Sequence, residues 1–140
     1  MSNPVELARV AFTQKIEQLK ATFTDYPLTV EYGNGDAVNV ALQTRPYLKA
    51  SIRYQDGKQI DLAERPGHRL IGTIVLEARV KAGAGTKQAN DLLWHFYPAL
   101  HMSEAMYPLR TLAARLTPAP VKGGWTAESA LIPFWIDSVG

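Results

Sequence analysis

The apolar positions of this chain change period several times, and each change marks an element. Phe12, Ile16, Leu19 and Phe23 recur at intervals of four, three and four, the spacing of one face of an α-helix. Pro4 suits a first helical turn, with Ser2 and Asn3 as candidate caps, so a helix is expected from there to near Thr24, where Tyr26-Pro27 stops it. Leu28 to Tyr32 then reads as a short strand, closed by the turn sequence Gly33-Asn34-Gly35-Asp36. From Tyr47 to Tyr54 the period falls to two, with Leu48, Ala50, Ile52 and Tyr54 on one face and Lys49, Ser51 and Arg53 on the other. Tyr54 is thereby expected in the core, and Lys49 and Arg53 at a solvated edge or partner surface. Asp56-Gly57 supplies hairpin turn chemistry, so Gln59 to Ala63 is expected to pair back.

His68 to Ala82 is the longest strand signal. It carries Leu70, Ile74, Leu76, Ala78 and Val80 on one face and Ile71, Val75, Glu77 and Arg79 on the other. Apolar residues on both faces predict a central strand, and the charges predict a far end that reaches solvent. Helical spacing returns at Ala89, Leu92, Leu93 and Phe96, which predicts a helix from Lys87 to about Tyr97, ended by Pro98. Ala99 to Pro108 reads as an irregular insert, Leu109 to Thr117 as a strand, Pro118 to Gly124 as a loop and about Ala127 to Ile136 as the last strand. Of the two tryptophans flanking that strand, Trp135 is expected in the core and Trp125, after Gly123-Gly124, nearer solvent. Each helix owns one apolar stripe, so the expected architecture is α+β: a mostly antiparallel sheet with two amphipathic helices packed on one face, in a single domain over residues 1–140.

Composition narrows the chemistry. The chain has 140 residues, 46% hydrophobic and 20% charged, the range of ordinary globular domains. Its apolar runs are far shorter than the roughly 20 residues of a membrane-spanning helix, and Met1 to Glu6 lack the pattern of a secretory signal, so no membrane association is expected. With no cysteine, thiol catalysis, zinc-thiolate sites and disulfides are excluded. A net charge of +2, spread along the chain, does not by itself call for nucleic acid.

The stretch Gly83-Ala84-Gly85-Thr86-Lys87 contains fragments of a phosphate cradle. It completes neither G-x-x-x-x-G-K-[ST] nor G-x-G-x-x-G, so Gly83, Gly85 and Thr86 are read as a strand-to-helix turn in which Thr86 caps the helix. His95 and His101, with Glu104 nearby, are separated by Pro98, and His68 stands alone, so solvated or core histidines are expected and no metal. There is no G-x-S-x-G elbow and no H-E-x-x-H; no catalytic residue and no cofactor are expected, and the chain is read as a non-enzyme.

Several short motifs carry a resemblance. They are Phe23-Thr24-Asp25-Tyr26-Pro27 after the first helix, Tyr47-Leu48 at a strand start, the long strand running through Val80-Lys81-Ala82-Gly83-Ala84-Gly85-Thr86, Ala89-Asn90-Asp91-Leu92, and a terminal strand with Trp125 and Ile132-Pro133-Phe134. In these the chain resembles the small phage tail terminator-like proteins, related to the lambda-like tail terminator, over nearly its whole length. Residues 99–108 have no counterpart in that pattern. The resemblance implies a homo-oligomeric ring, a hexamer, that caps the finished tail tube, ends its polymerisation and presents a surface for head joining. Its partners would be other copies of itself, the tail tube protein and a head-tail connector protein, in the bacterial host cytoplasm during assembly and at the tail end of the virion afterwards. Under that reading Arg45, Lys58, Arg65 and Arg69 are expected to meet neighbouring subunits or the tube. The alternatives are another phage neck or head-tail joining protein, and a nucleic-acid-binding α+β domain that reads bases with Tyr47, Lys49, Arg53 and Tyr54.

Overall fold

The computed structural model describes residues 4–33, 45–54, 67–81, 87–103, 106, 109–120 and 125–139, without the side chains at 4, 67–70, 119–120 and 137–139. Its elements are α1 (Pro4–Ala21), β1 (Val30–Tyr32), β2 (Tyr47–Tyr54), β3 (Gly67–Lys81), α2 (Lys87–Leu100), β4 (Arg110–Thr111), β5 (Arg115–Pro120) and β6 (Trp125–Val139). They form an α+β fold: one six-stranded sheet in the order β1-β2-β3-β6-β4, with β5 also paired to β6. Every pairing is antiparallel except β1 with β2, which is parallel, a departure from the antiparallel order expected there. The hairpin expected at Gln59 to Ala63 lies outside the described residues, as does the turn at Gly83, Gly85 and Thr86.

Strand alternation sorts the sheet into two faces. In one register row Ala50, Leu76 and Ala130 stand side by side, and in the next Ile52, Ile74 and Ile132. These rows meet Ala8, Phe12 and Ile16 of α1 and Ala89, Leu92, Leu93, Phe96 and Leu100 of α2 in one core. The helices therefore lie on the same face, and the alanines at 8, 50, 89 and 130 let helix and sheet approach closely. Each fully buried Leu, Ile or Phe here stabilises the fold by about 1.5–3 kcal/mol. Tyr54 joins this side, its ring edge-on to Phe134 with centroids 5.9 Å apart and its hydroxyl donating to the Val5 carbonyl.

Gly72 makes that last arrangement possible. A Cβ at this position would stand 2.6 Å from the Phe134 ring and 2.2 Å from the Arg53 carbonyl oxygen. Phe134 occupies the space that any side chain at 72 would need.

Several boundaries differ from expectation, each for a local reason. α1 stops at Ala21 because Thr22 and Phe23 donate to Leu19 and Lys20, tightening the last turn and rolling Phe23 inward. α2 runs through Pro98 to Leu100. The bond that Pro98 cannot make would go to the carbonyl of Trp94, on the helix's exposed flank where water reaches it, and the extra turn buries Leu100. Residues 109–117 split into β4 and β5, which continues to Pro120 where a loop was expected, and β6 extends the last strand at both ends. The insert is partly core: Leu100 and Met106 are buried.

The tryptophans exchange the places expected of them. Trp125 is buried, edge-on to Tyr47 at 5.3 Å, whereas Trp135 is half-buried and sits on the face opposite the helices. Its odd register position, opposite Ile71, puts it there.

Candidate functional site

His95 shows how the two helices are locked together. Its Nε2 lies 2.8 Å from the Leu19 carbonyl and 3.0 Å from the Thr22 hydroxyl. Since a carbonyl only accepts, Nε2 carries the proton. The ring is also edge-on to Phe23 at 5.2 Å. This is a satisfied structural histidine. His101 is held elsewhere, its Nδ1 accepting from the Ala114 amide at 2.8 Å, so the two histidines do not converge. Among the described residues no group of three His, Asp or Glu side chains could hold a metal ion.

Beside this joint lies a groove of about 350 Å³ lined by Phe23, Asp25, Tyr26, Arg45, Gln88 and Asp91 among others. Tyr26 forms its wall: the hydroxyl donates to the Pro46 carbonyl at 2.7 Å, and the Arg45 guanidinium lies over the ring at 5.3 Å. Burial first, then the Asp25 charge, opposed by Arg45, push the Tyr26 hydroxyl up to about 12. Arg45 is thus exposed yet engaged within its own chain. Lys58 and Arg65 lie outside the described residues; Arg69 is in β3, its backbone paired with Asp137, with its side chain outside the description. The four basic residues singled out from the sequence are not brought together by anything the structure describes.

A second, narrower groove of about 230 Å³ separates α1 from β1 and β2, lined by Arg9, Phe12, Thr13, Tyr32 and Ser51 among others. The Tyr32 hydroxyl is buried beside the Glu17 carboxylate. Burial, and second the neighbouring Glu17 carboxylate, raise its pKa above the ordinary tyrosine value.

The sheet face away from the helices has a different chemistry. Glu31, Lys49 and Glu77 stand in one row across β1, β2 and β3, an alternating charge ladder. Arg79 closes it, donating to Glu77 Oε2 at 2.9 Å and to the Tyr47 hydroxyl at 3.3 Å, with Glu31 Oε2 at 3.9 Å. Cations also cover aromatics here: Arg79 over Tyr47, Lys81 over Trp125 and Arg110 over Trp135. The aromatic rings of Tyr47 and Trp125 are buried in these contacts and do not form an open stacking platform.

Beyond α1, four large apolar side chains remain exposed among the described residues. Trp94 is 66% exposed, Met102 69%, Leu112 49% and Leu116 50%. Trp94 and Tyr97, packed edge-on at 5.6 Å, project from the flank of α2 away from Gln88, Asp91 and His95, which border α1. One turn on, the Met102 amide donates to the Leu112 carbonyl at 3.0 Å, so these two residues adjoin, and Leu116 follows on β5. This cluster escaped the sequence reading. Its signal was there: Trp94 falls off the Ala89, Leu92, Leu93, Phe96 stripe, and a tryptophan on the polar flank of a helix has no core to enter.

The fold recurs in a solved structure. That chain aligns with a TM-score of 0.65 over 96% of each chain at 16% identity. At that identity the likeness concerns the fold alone. No family model and no curated protein matches the chain. The described helices include none long and apolar enough to cross a membrane.

Proposed function

We propose that this chain is a structural phage tail assembly protein of the terminator-like group. In this reading it caps the tail tube as a homo-oligomeric ring of six copies, ends tube polymerisation and offers a surface to the head-tail connector protein. It acts by contact, without catalysis and without a cofactor. The observation that carries the reading is the exposure of the large apolar side chains Trp94, Met102, Leu112 and Leu116 outside the helix–sheet core. Large apolar groups left outside a completed core are a feature of protein contact surfaces. The motifs shared with tail terminator-like proteins supply the kind of assembly. Such a protein works in the bacterial host cytoplasm during assembly and stays at the tail end of the virion.

The test is electron microscopy of particles made by the parent phage or prophage after deletion of this gene. Overlong tubes without heads are expected. Tails of normal length that fail to join heads would move the protein to another neck position, and intact virions would remove it from assembly.

A further inference from the structure

The fold gathers cations that are spread along the sequence. Lys49, Arg53, Arg79, Lys81, Arg110 and Arg115 all stand on the sheet face away from the helices. The register places them there: Arg53 aligns with Thr73 and Pro133, Arg110 with Trp135, Arg115 with Leu131 and Lys81 with Trp125. Among the described side chains the carboxylates of that face are Glu31 and Glu77, and both belong to the charge ladder with Lys49 and Arg79. The face thus carries an excess of positive charge that a net charge of +2 for the whole chain conceals.

Arg53, Arg110 and Arg115 are exposed, and none forms an ion pair with another described residue. With about 4.8 Å between strands and about 3.3 Å per residue, these three stand on the order of 13–16 Å apart around Thr73, Leu131 and Pro133. Side chains on strands stand out from the sheet, so arginines at that separation suit successive charges of an extended polyanion better than one small anion. Duplex DNA, with a negative charge per about 1.7 Å of its axis, meets all three at once.

The rings of this face are not offered to bases. Tyr47 and Trp125 are buried, and Trp135 is half-buried beneath Arg110. Binding of single strands relies on open stacking platforms, whereas duplex binding without sequence preference relies on phosphates alone. The face therefore matches the duplex.

We propose that the sheet face away from the helices binds duplex DNA through its phosphate backbone, without sequence preference, with Arg53, Arg110 and Arg115 as the contacting cations. This contact is additional to the tail-assembly reading and does not depend on it.

The experiment is fluorescence anisotropy of the full chain with a labelled mixed-sequence duplex and with an oligothymidylate of the same length, over a salt series. Duplex binding is expected to be the tighter, with log affinity falling against log salt at a slope of about −3, as for contacts to three phosphates. Arg110→Gln should reduce that slope by about 1. Arg53→Glu with Arg115→Glu, checked for an unchanged thermal transition, should weaken binding about 10-fold or more; Arg53→Gln with Arg115→Gln serves if the reversed pair does not fold. Lys15→Glu with Lys20→Glu on α1 changes net charge equally on the other side of the sheet. At physiological ionic strength, where charges beyond about 8 Å are screened, it should leave binding unchanged.

A wild-type chain that binds no duplex even at low salt overturns the proposal. So does an α1 variant that loses as much affinity as the sheet-face variant, because binding then follows net charge. Oligothymidylate bound as tightly as duplex, or polyglutamate that displaces the duplex at equal charge concentration, also overturns it, the latter by assigning the face to an acidic protein. None of these outcomes bears on tail length in the gene deletion, so the two readings fail separately.

Discussion

Leu131 and Ile132 are neighbours on β6, and they belong to different worlds. Ile132 faces the helices and is fully buried in a row with Ile52 and Ile74. Leu131 faces the other way, half-buried beside Val75 and Arg115. The centre of the helix side of the sheet is apolar and carries the stability, with Glu128 and Thr126 on the same side at the end of β6. The other side combines a charge ladder with cation-covered aromatics, and the edge beyond it shows bare apolar groups.

Substitutions can break that contrast. The largest effect belongs to Gly72→Val, because its side chain meets both the Phe134 ring and the Arg53 carbonyl. Chemical denaturation should show a loss of about 3 kcal/mol or more, or no folded protein, at the upper end of overpacking costs. Phe134→Ala in the same chain should not rescue it, since the backbone oxygen stays.

Next comes the direct comparison of neighbours. Ile132→Ala should cost about 2–5 kcal/mol, as for a buried aliphatic that leaves a cavity, and Leu131→Ala about 1 kcal/mol or less. Equal losses in urea unfolding would erase the distinction between the faces. His95→Ala should cost about 1–2 kcal/mol by removing the bond to the Leu19 carbonyl that ties α2 to α1. The exchange protection of the Thr22 and Phe23 amides should fall with it.

Two smaller effects sharpen the picture at the Arg45 groove. The Tyr26 hydroxyl titrates at about 12 when folded, above its ordinary 10.0, so the fold favours the protonated phenol. That stabilisation is complete below pH 10 and is lost as pH rises through about 12. Urea midpoints should decline over this window in the wild type and decline less in Tyr26→Phe. Arg45→Ala should cost under about 1 kcal/mol at neutral pH, the size of an exposed cation–π contact. It should also move the Tyr26 part of the decline to higher pH, because the cation that favours the phenolate is gone.

The core was legible from the sequence because period and burial coincide. Alternation placed β2 at Tyr47–Tyr54 without error, and apolar residues on both faces marked β3 as central. Legibility failed where tertiary context outweighs local rules. Pro98 is tolerated because its missing bond falls on the exposed flank of α2 and Leu100 gains a place in the core. Trp125 is buried against the ring of Tyr47, far away in sequence, a contact which no local pattern announces. The parallel pairing of β1 with β2 likewise depends on chain outside both strands. Trp94 is exposed for a reason the sequence does show, because it falls off the apolar stripe of α2.

The central claim, that this chain ends tail growth by contact, is tested most directly by assembling the tube protein of the same genome in its presence. The account predicts tubes whose mean length falls as the protein is added, with added density at one end of each tube in electron micrographs. Tubes of unchanged length with bare ends would contradict it.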